Sequence, residues 1–241
     1  PEVDNIYVHP NMGDGGLATG AAFEVYARLN AGFAPVFNEQ VYLGTEINRN
    51  NALQALQARG IKYLEPQDLA GEVAKLLAAG KVVARADGKM EYGPRALGNR
   101  SVMAAANDKS INQWLNKKFA RTEFMPFAPV ILEAYAHAYF PDWQVSHVAA
   151  QFMTITYKAS ALAQQNIPAA VHIDGTARPQ VLQRIRNAKY FDIIFAYQQL
   201  TGVPSIINTS FNMHEEPIVR TADEAISAFI SADLDALILG P

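Results

Sequence analysis

Apolar residues recur along this chain in two spacings, one typical of helices and one typical of buried strands. Spacings of three and four residues predict helices over residues 17–29, 50–60, 67–80, 108–119 and 190–202, from residue 221 onward, and as a short face at 181–185. Short apolar runs predict strands over residues 5–9, 81–86, 102–105, 127–132, 154–157, 171–174, 203–207 and 237–239. The sequence therefore predicts a mixed α/β fold without internal repeats.

Capping residues set the expected ends of several helices. Thr221 and Glu224 form a capping-box pattern, and Asn50 and Asp108 are the expected N-caps of two other helices. Gly202 is expected to end the helix that precedes it.

Composition narrows the class of protein. The chain has 241 residues, half of them hydrophobic, so it can bury a sizeable core. Its net charge of -3 provides no basic field for nucleic acid, and the absence of cysteine excludes disulfides and thiolate metal sites. Since no long apolar run or signal-peptide pattern is present, we expect a cytoplasmic protein with neither a membrane nor a nucleic-acid partner.

The segment 88–100 is the first candidate site. It follows a predicted strand and contains three glycines, one proline and two arginines, Arg95 and Arg100. Because Gly-Pro interrupts helices and central strands, we expect both arginines to project from irregular backbone at the end of a strand, where ligands collect in open α/β sheets. The alternative is a solvated turn in which the arginines pair with Glu91 or Asp87.

Three further polar clusters lie beside apolar segments, at residues 116–121, 172–178 and 208–212. Together with the first cluster they suggest a shared anionic ligand. Lys117 and Lys118 also fit a solvated helix C-terminus, where cations complement the helix dipole.

Residues 13–16 form a glycine-rich turn before the first predicted helix. Such a turn can hold a phosphate or place a carboxylate beside one, but it is equally a close turn in which Asp14 is the N-cap. The irregular stretch 30–48 predicts a domain junction near residue 43. The start at Pro1, without methionine, suggests a segment of a longer protein.

These residue types favour the chemistry of charged groups. Arginine forks suit phosphate and carboxyl oxygens, and Ser and Asn can make directional contacts with a carbamoyl amide or a ribose. Ser210 could be a nucleophile, but no Ser/His/Asp order is evident. Charge-stabilised transfer of a phosphorylated or adenylated group fits better.

Four motifs carry a family resemblance. Residues 89–101, 126–129, 172–178, and 208–212 with 216–219 resemble, in this order, the C-terminal domain of the O-carbamoyltransferases. This family contains the nodulation carbamoyltransferases and antibiotic carbamoyltransferases such as the tobramycin enzyme. The resemblance implies a YrdC-like mixed twisted sheet with flanking helices over residues 43–241. Residues 1–42 resemble the tail of the family's N-terminal domain, which has an actin-like ATPase fold.

The resemblance also implies an activity and a set of site residues. The C-terminal domain would form carbamoyladenylate from Mg²⁺-bound ATP and carbamoyl phosphate. The N-terminal transferase domain, expected to be missing from this chain, would move the carbamoyl group to a small-molecule acceptor with iron or another divalent metal. The expected catalytic residues share one pocket and are Arg178, Ser210 and Arg121. The expected substrate- and nucleotide-binding residues are Arg95, Arg100, Lys118, His172, Asp174, Asn208 and Asn212. Asp14 matches a metal ligand.

This sequence departs from the family pattern at three places. The family's paired His-x-x-x-His is absent, Met125 stands where an arginine is usual, and Glu215 replaces a usual glycine. Met125 and Glu215 leave open a non-catalytic nucleotide-binding module. A relative of the threonylcarbamoyl-AMP synthases, which would share the fold, is the second alternative, although nothing in the sequence is basic enough for the tRNA affinity expected of it.

Overall fold

A computed structural model describes residues 6–34, 40–119 and 127–240. Its helices are α1 (Asp14–Leu29), α2 (Arg49–Ala58), α3 (Leu69–Ala78), α4 (Ser110–Lys118), α5 (Glu133–Tyr139), α6 (Ala161–Asn166), α7 (Ala188–Thr201) and α8 (Ala222–Ser231). Its strands are β1 (Tyr42–Ile47), β2 (Val83–Ala86), β3 (Gly88–Glu91), β4 (Arg100–Ala104), β5 (Ala128–Leu132), β6 (Tyr157–Lys158), β7 (Thr176–Ala177), β8 (Gln180–Leu182), β9 (Ser205–Ser210) and β10 (Ala236–Leu239). Two short 3₁₀ helices span Val148–Phe152 and Pro168–Ala170.

Six strands form one mixed sheet in the order β10-β2-β4-β9-β5-β8. The four inner strands pair antiparallel, whereas the edge strands β10 and β8 run parallel to their neighbours β2 and β5. Strands β1 and β3 form a separate antiparallel pair, as do β6 and β7. The predicted mixed α/β sheet with flanking helices is confirmed.

Each face of the sheet packs into its own core. Val83 and Met103 are paired neighbours on one face and belong to a buried cluster with residues of α3 and α7. Val102 and Ile207 lie on the opposite face and belong to a larger cluster with residues of α2, α4 and α8. The strands are buried on both faces, which explains their continuous apolar runs.

Local signals account for the helix ends. The capping box of Thr221 and Glu224 is present, and Gly202 ends α7 in the left-handed conformation at φ 77°, as predicted. The cap of α2 is Asn48 rather than Asn50, and its side chain accepts a hydrogen bond from the backbone of Asn51. The prediction that Asp108 is the N-cap of α4 is wrong, because Lys109 occupies that position; the Asp108 carboxylate accepts hydrogen bonds from the backbone and the hydroxyl of Ser110, the first residue of the helix.

Several predicted elements are wrong. Residues 6–9 and 171–174 are not strands, and the apolar face predicted as helical over 181–185 begins instead as strand β8. Strands β1 and β3 were not predicted, and β3 lies within the segment predicted to be an irregular loop. Strand β1 begins at Tyr42, one residue before the predicted domain boundary, and that boundary stays a prediction.

Helix α1 contributes no buried residue to either core. It is attached through Thr19, whose hydroxyl lies 2.6 Å from that of Tyr92, and the ring of His9 meets the ring of Tyr92 edge-on. Within the described ranges, no helix combines the length and the apolar character needed to cross a bilayer.

Candidate functional site

The ends of four strands meet at one edge of the sheet. Strand β9 ends there at Ser210, which pairs with Ser101 near the start of β4. Strand β5 begins at the same edge, and its first residue, Ala128, pairs with Asn208 of β9. Gln180, the first residue of β8, pairs with Val130 of β5. The segment that follows β9 and the segments that precede β4, β5 and β8 therefore converge at this edge.

Glu91 fixes the loop of residues 92–99, which we call the anion loop. One carboxylate oxygen of Glu91 accepts backbone hydrogen bonds from Leu97 at 2.7 Å, from Asn99 at 2.7 Å and from Arg100 at 3.1 Å. Three N–H donors converging on one anionic oxygen fix the backbone of the loop.

Asp87 also supports the framework of the loop. It pairs with Arg85 at 2.5 Å and with Lys189 at 3.4 Å, and Arg85 in turn donates to Gly98 and Asn99. The alternative in which Glu91 or Asp87 forms an ion pair with the loop arginines is therefore wrong for the described residues.

Two buried amides fasten the anion loop to the sheet from the other side. Gln180 donates to the Leu97 carbonyl at 2.9 Å and accepts a hydrogen bond from Asn208 at 2.8 Å. The same Asn208 nitrogen donates to the Ala96 carbonyl at 3.1 Å. Asn208 and Gln180 are 1% and 2% exposed, so these bonds form in a water-poor region where their geometry is tightly set. We call this pair the amide clamp.

Arg95 and Arg178 lie near each other at this edge, one on the anion loop and the other two residues before Gln180. Both are partly buried, and the Nε of each is buried without a hydrogen-bond partner. Burial lowers the pKa of both guanidinium groups, and the charge of Arg95 contributes to lowering the pKa of Arg178 to about 10. In the described part of the chain no carboxylate compensates either charge. Two desolvated cations without an acid partner are suited to bind an anion.

His172 belongs to the same cluster, because its turn closes onto Thr176, which lies two residues before Arg178. Its Nδ1 lies 3.0 Å from the hydroxyl of Thr176, and that hydroxyl donates to the Asp174 carboxylate at 2.7 Å. The pKa of His172 is lowered mainly by burial and further by Arg178, against the opposing effect of Asp174. The pKa of Asp174 is lowered by the hydrogen bonds from Thr176.

Ser210 and Asn212 extend the polar surface of this sheet edge. The Ser210 hydroxyl is 2.6 Å from the Asn212 Oδ1, and the Asn212 nitrogen donates to the carbonyls of Met213 and Glu216. Ser210 lies two residues from Asn208 along β9, so both side chains are on the face of the sheet that carries the amide clamp. Among the described residues, no base contacts the Ser210 hydroxyl.

Two predicted binding residues are engaged elsewhere in the structure. Arg100 lies in strand β4, contrary to its predicted place on irregular backbone, and is completely buried. Its terminal nitrogens donate to backbone carbonyls, two of which belong to Thr45 and Gly88. Lys118 pairs with Asp233 and lies 5.1 Å from the ring centre of Trp114. The binding roles of Arg100 and Lys118 stay predictions; in the structure, both side chains form contacts within the protein.

Arg121 and Met125 lie outside the described residues. Asp14 is in the first turn of α1, where Gly13 rather than Asp14 occupies the N-cap position. Within residues 6–34, 40–119 and 127–240, no three His, Asp or Glu side chains converge closely enough to hold a metal ion. The described residues by themselves therefore do not form an iron site.

Sequence reasoning missed Gln180, and it gave no role to Thr176 although Thr176 lies within the predicted cluster 172–178. Gln180 lies in a segment predicted to lead into a helix, and a single glutamine gives no local signal of its two distant partners. Thr176 carried a recognisable signal, since Asp and Thr two residues apart commonly form a side-chain turn.

A protein-family model described as "Carbamoyltransferase C-terminus" matches residues 74–241. The chain belongs to this family. It is 36% identical to nodulation protein NolO of Bradyrhizobium diazoefficiens, over 99% of this chain and 44% of NolO. It is 37% identical to an uncharacterised protein of Methanocaldococcus jannaschii, over 98% of this chain and 45% of that protein. The chain spans less than half the length of these curated relatives.

Solved structures with a similar fold were also found. One is full-length HypF in a phosphate- and nucleotide-bound form, with a TM-score of 0.47 and 19% identity over 77% of this chain and 27% of HypF. Another is a variant of P. abyssi Sua5, with a TM-score of 0.45 and 14% identity over 70% of this chain and 48% of Sua5.

Proposed function

We propose that this chain is the part of an ATP-dependent O-carbamoyltransferase that binds carbamoyl phosphate and ATP and forms carbamoyladenylate. Water would release phosphate from carbamoyl phosphate, and the resulting carbamate oxygen would attack the α-phosphate of ATP and displace pyrophosphate. The proposal rests on one observation: Arg95 and Arg178 lie near each other, and no carboxylate in the described part of the chain compensates their charges. Holding two partly buried cations near each other costs free energy, and a phosphorylated ligand offsets that cost. Membership in the family narrows the ligand to a carbamoyl donor.

The two arginines suit the charge changes of adenylate formation. Guanidinium groups bind phosphate oxygens through paired N–H donors, and a site held in advance by Glu91 and the amide clamp need not reorganise as charge moves. Ser210 and Asn212 provide directional contacts to neutral groups of the ligands. Mg²⁺ would arrive with the phosphates of ATP and neutralise part of their charge.

Transfer to an acceptor hydroxyl belongs, in this proposal, to an N-terminal transferase domain with its own metal. Asp14 would be one ligand of that metal, with the others outside the described residues. Because one carboxylate does not hold a metal firmly, we expect this chain alone to form the adenylate but not to carbamoylate an acceptor.

The primary experiment measures carbamoyl-phosphate-dependent exchange of labelled pyrophosphate into ATP by the 241-residue chain. We expect exchange in the wild type and its loss in Arg178→Met. The matched control is Arg184→Met, because Arg184 is an exposed arginine paired with Asp192 and should tolerate the change. Calorimetric titration with carbamoyl phosphate and with Mg²⁺-ATP separates binding from turnover.

The outcomes distinguish the proposal from its two alternatives. Binding of both ligands without exchange would favour a non-catalytic nucleotide-binding module. Exchange that requires bicarbonate and threonine instead of carbamoyl phosphate would favour a threonylcarbamoyl-AMP synthase activity. Failure of the wild type to bind either ligand would refute the proposed function.

A further inference from the structure

Recognition of a carbamoyl group requires a hydrogen-bond acceptor that the two arginines do not provide. Guanidinium groups only donate hydrogen bonds, and they suit the phosphate oxygens of the ligand. The carbamoyl end carries an NH₂ group with two donors, whereas an acetyl group has a methyl group of similar size at that place. A site that distinguishes them must present an open acceptor beside the arginine pair.

The polar side chains of the cluster differ in how their acceptors are placed. One carboxylate oxygen of Asp174 accepts both hydrogen bonds from Thr176, at 3.0 Å from the backbone and at 2.7 Å from the hydroxyl; the other oxygen is open, but Asp174 is exposed, so water competes for it. The Ser210 hydroxyl donates its hydrogen to Asn212, and its oxygen can still accept. The Oδ1 of Asn208 has no partner but is fully buried beneath the anion loop. The Nε2 of His172 is an accessible nitrogen for which the described residues provide no partner.

Thr176 determines the tautomer of His172. The threonine hydroxyl has one hydrogen, which it gives to the Asp174 carboxylate, an acceptor only. The same oxygen must therefore accept the hydrogen of His172 Nδ1, 3.0 Å away. With Nδ1 protonated, the neutral imidazole carries its lone pair on Nε2.

The turn that carries these residues is closed by its own backbone. His172 N–H donates to the Thr176 carbonyl at 2.7 Å, and Gly175 N–H donates to the His172 carbonyl at 3.0 Å. Gly175 adopts φ 78°, which the tight turn requires. Burial and the charge of Arg178 both lower the pKa of His172, so the neutral ring predominates at pH 7.

We propose that Thr176 fixes His172 as the Nδ1–H tautomer, so that its Nε2 accepts a hydrogen bond from the carbamoyl NH₂ of a ligand whose phosphate is bound by Arg95 and Arg178. His172 is then the residue that selects carbamoyl phosphate over acyl phosphates, and Thr176 is a positioning residue that acts through it. This inference rests on the proposed function and specifies how its donor substrate is recognised.

The test compares the affinities of carbamoyl phosphate and acetyl phosphate, which differ by NH₂ in place of CH₃, by calorimetry at pH 7.5. We expect the wild type to prefer carbamoyl phosphate by about tenfold or more, since one unpaired acceptor costs roughly that factor. Thr176→Val should reduce the preference to within about twofold, and Thr176→Ser, which keeps the hydroxyl, should restore it. Thr201→Val is the matched control, because the Thr201 hydroxyl donates to Tyr197 in α7 at the opposite end of β9.

If Thr176→Val does not fold, the tautomer of His172 can be measured directly in the wild type. Nitrogen-15 NMR of the wild-type imidazoles should show His172 protonated at Nδ1 and unprotonated at Nε2. Equal affinities of the wild type for the two phosphates, an unchanged preference in Thr176→Val, or the opposite tautomer would each overturn the inference. If neither phosphate binds to the wild type, the proposed function itself fails.

Discussion

Asn208 and Gln180 face each other across strand β5, with the amide nitrogen of Asn208 2.8 Å from the side-chain oxygen of Gln180. Each amide also donates to a carbonyl of the anion loop. Because Arg178 lies two residues before Gln180, and Arg95 precedes the clamped Ala96, this contact sets the spacing between the two arginines. We therefore expect the amide pair to affect the proposed phosphate site by holding its two arginines in place.

Gln180→Met, which keeps the shape of the side chain but removes its hydrogen bonds, should lower the free energy of unfolding by about 2 kcal/mol. It should also weaken phosphate binding by roughly tenfold, because the arginines lose their fixed spacing. Urea denaturation and calorimetry check the two effects. Gln183→Met, which removes a hydrogen bond to Glu133 outside the clamp, is the control. In a double-mutant cycle, the binding effects of Gln180→Met and Arg178→Met should not add, and simple additivity would contradict the coupling.

Arg178→Met should stabilise the protein in the absence of ligand. The guanidinium of Arg178 is partly buried and has no carboxylate partner among the described residues, so an apolar side chain of similar length removes a cost on the order of 1 kcal/mol. We expect a higher midpoint of thermal unfolding without phosphate, and no further rise when phosphate is added. Arg184→Met should show no such gain, since Arg184 is exposed. A loss of stability in Arg178→Met would argue that the arginine is structural.

The preference for carbamoyl phosphate over acetyl phosphate should disappear on acidification. Burial and Arg178 hold the pKa of His172 below its ordinary 6.5, with Asp174 opposing them. Below that lowered pKa the ring gains a proton, Nε2 becomes a donor, and it repels the carbamoyl NH₂. Because folding favours the neutral ring, the contribution of His172 to stability is present above pH 6.5 and is lost as the pH falls through the lowered value. Affinity ratios measured across this window, beside the same series for His172→Gln, test the prediction. A ratio independent of pH would contradict it.

Glu215→Gly should increase stability by about 1 kcal/mol. Glu215 adopts φ 62°, a conformation unfavourable for residues with a Cβ atom, and it stands where the family usually has a glycine. Chemical denaturation measures the gain. Glu216→Gly, a neighbouring exposed glutamate whose φ is negative, serves as the comparison and should show no increase. An equal gain in both variants would point to removal of negative charge instead.

The sequence predicted the helix ends and strands that are determined by residues close to one another in the chain. The capping box at Thr221 and the left-handed Gly202 depend on neighbours within a few residues, and the buried strands β2, β4 and β9 on continuous apolar runs. Strand β8 was assigned to a helical face because a strand of three residues, covered on both sides, has no periodicity to distinguish it from one helical turn. Strands β1 and β3 were missed because they stabilise each other across more than 40 positions of chain.

The residue types of the candidate site could be predicted from the sequence, but the role of each residue could not. Arg95, Arg178 and His172 were identified from clusters of polar residues, and the structure brings them together. Arg100 was selected by the same criterion, yet its guanidinium donates to backbone carbonyls, which are identical in every residue and leave no signature in a sequence. Gln180 depends on Asn208, 28 positions away, and on Leu97, 83 positions away.

The placement of β8 at the edge of the sheet has a consequence for the order of folding. Arg178 can reach Arg95 only after β9 has inserted between β4 and β5, because β8 is joined to the sheet through β5 alone. Closing loops of this length is slow compared with forming local turns. The turn of His172 and Thr176 can form early, whereas the arginine pair forms after the central strands. On the ribosome, the proposed phosphate site is therefore completed only once β9 has been synthesised, and a ligand that binds this site would favour the native arrangement from that moment.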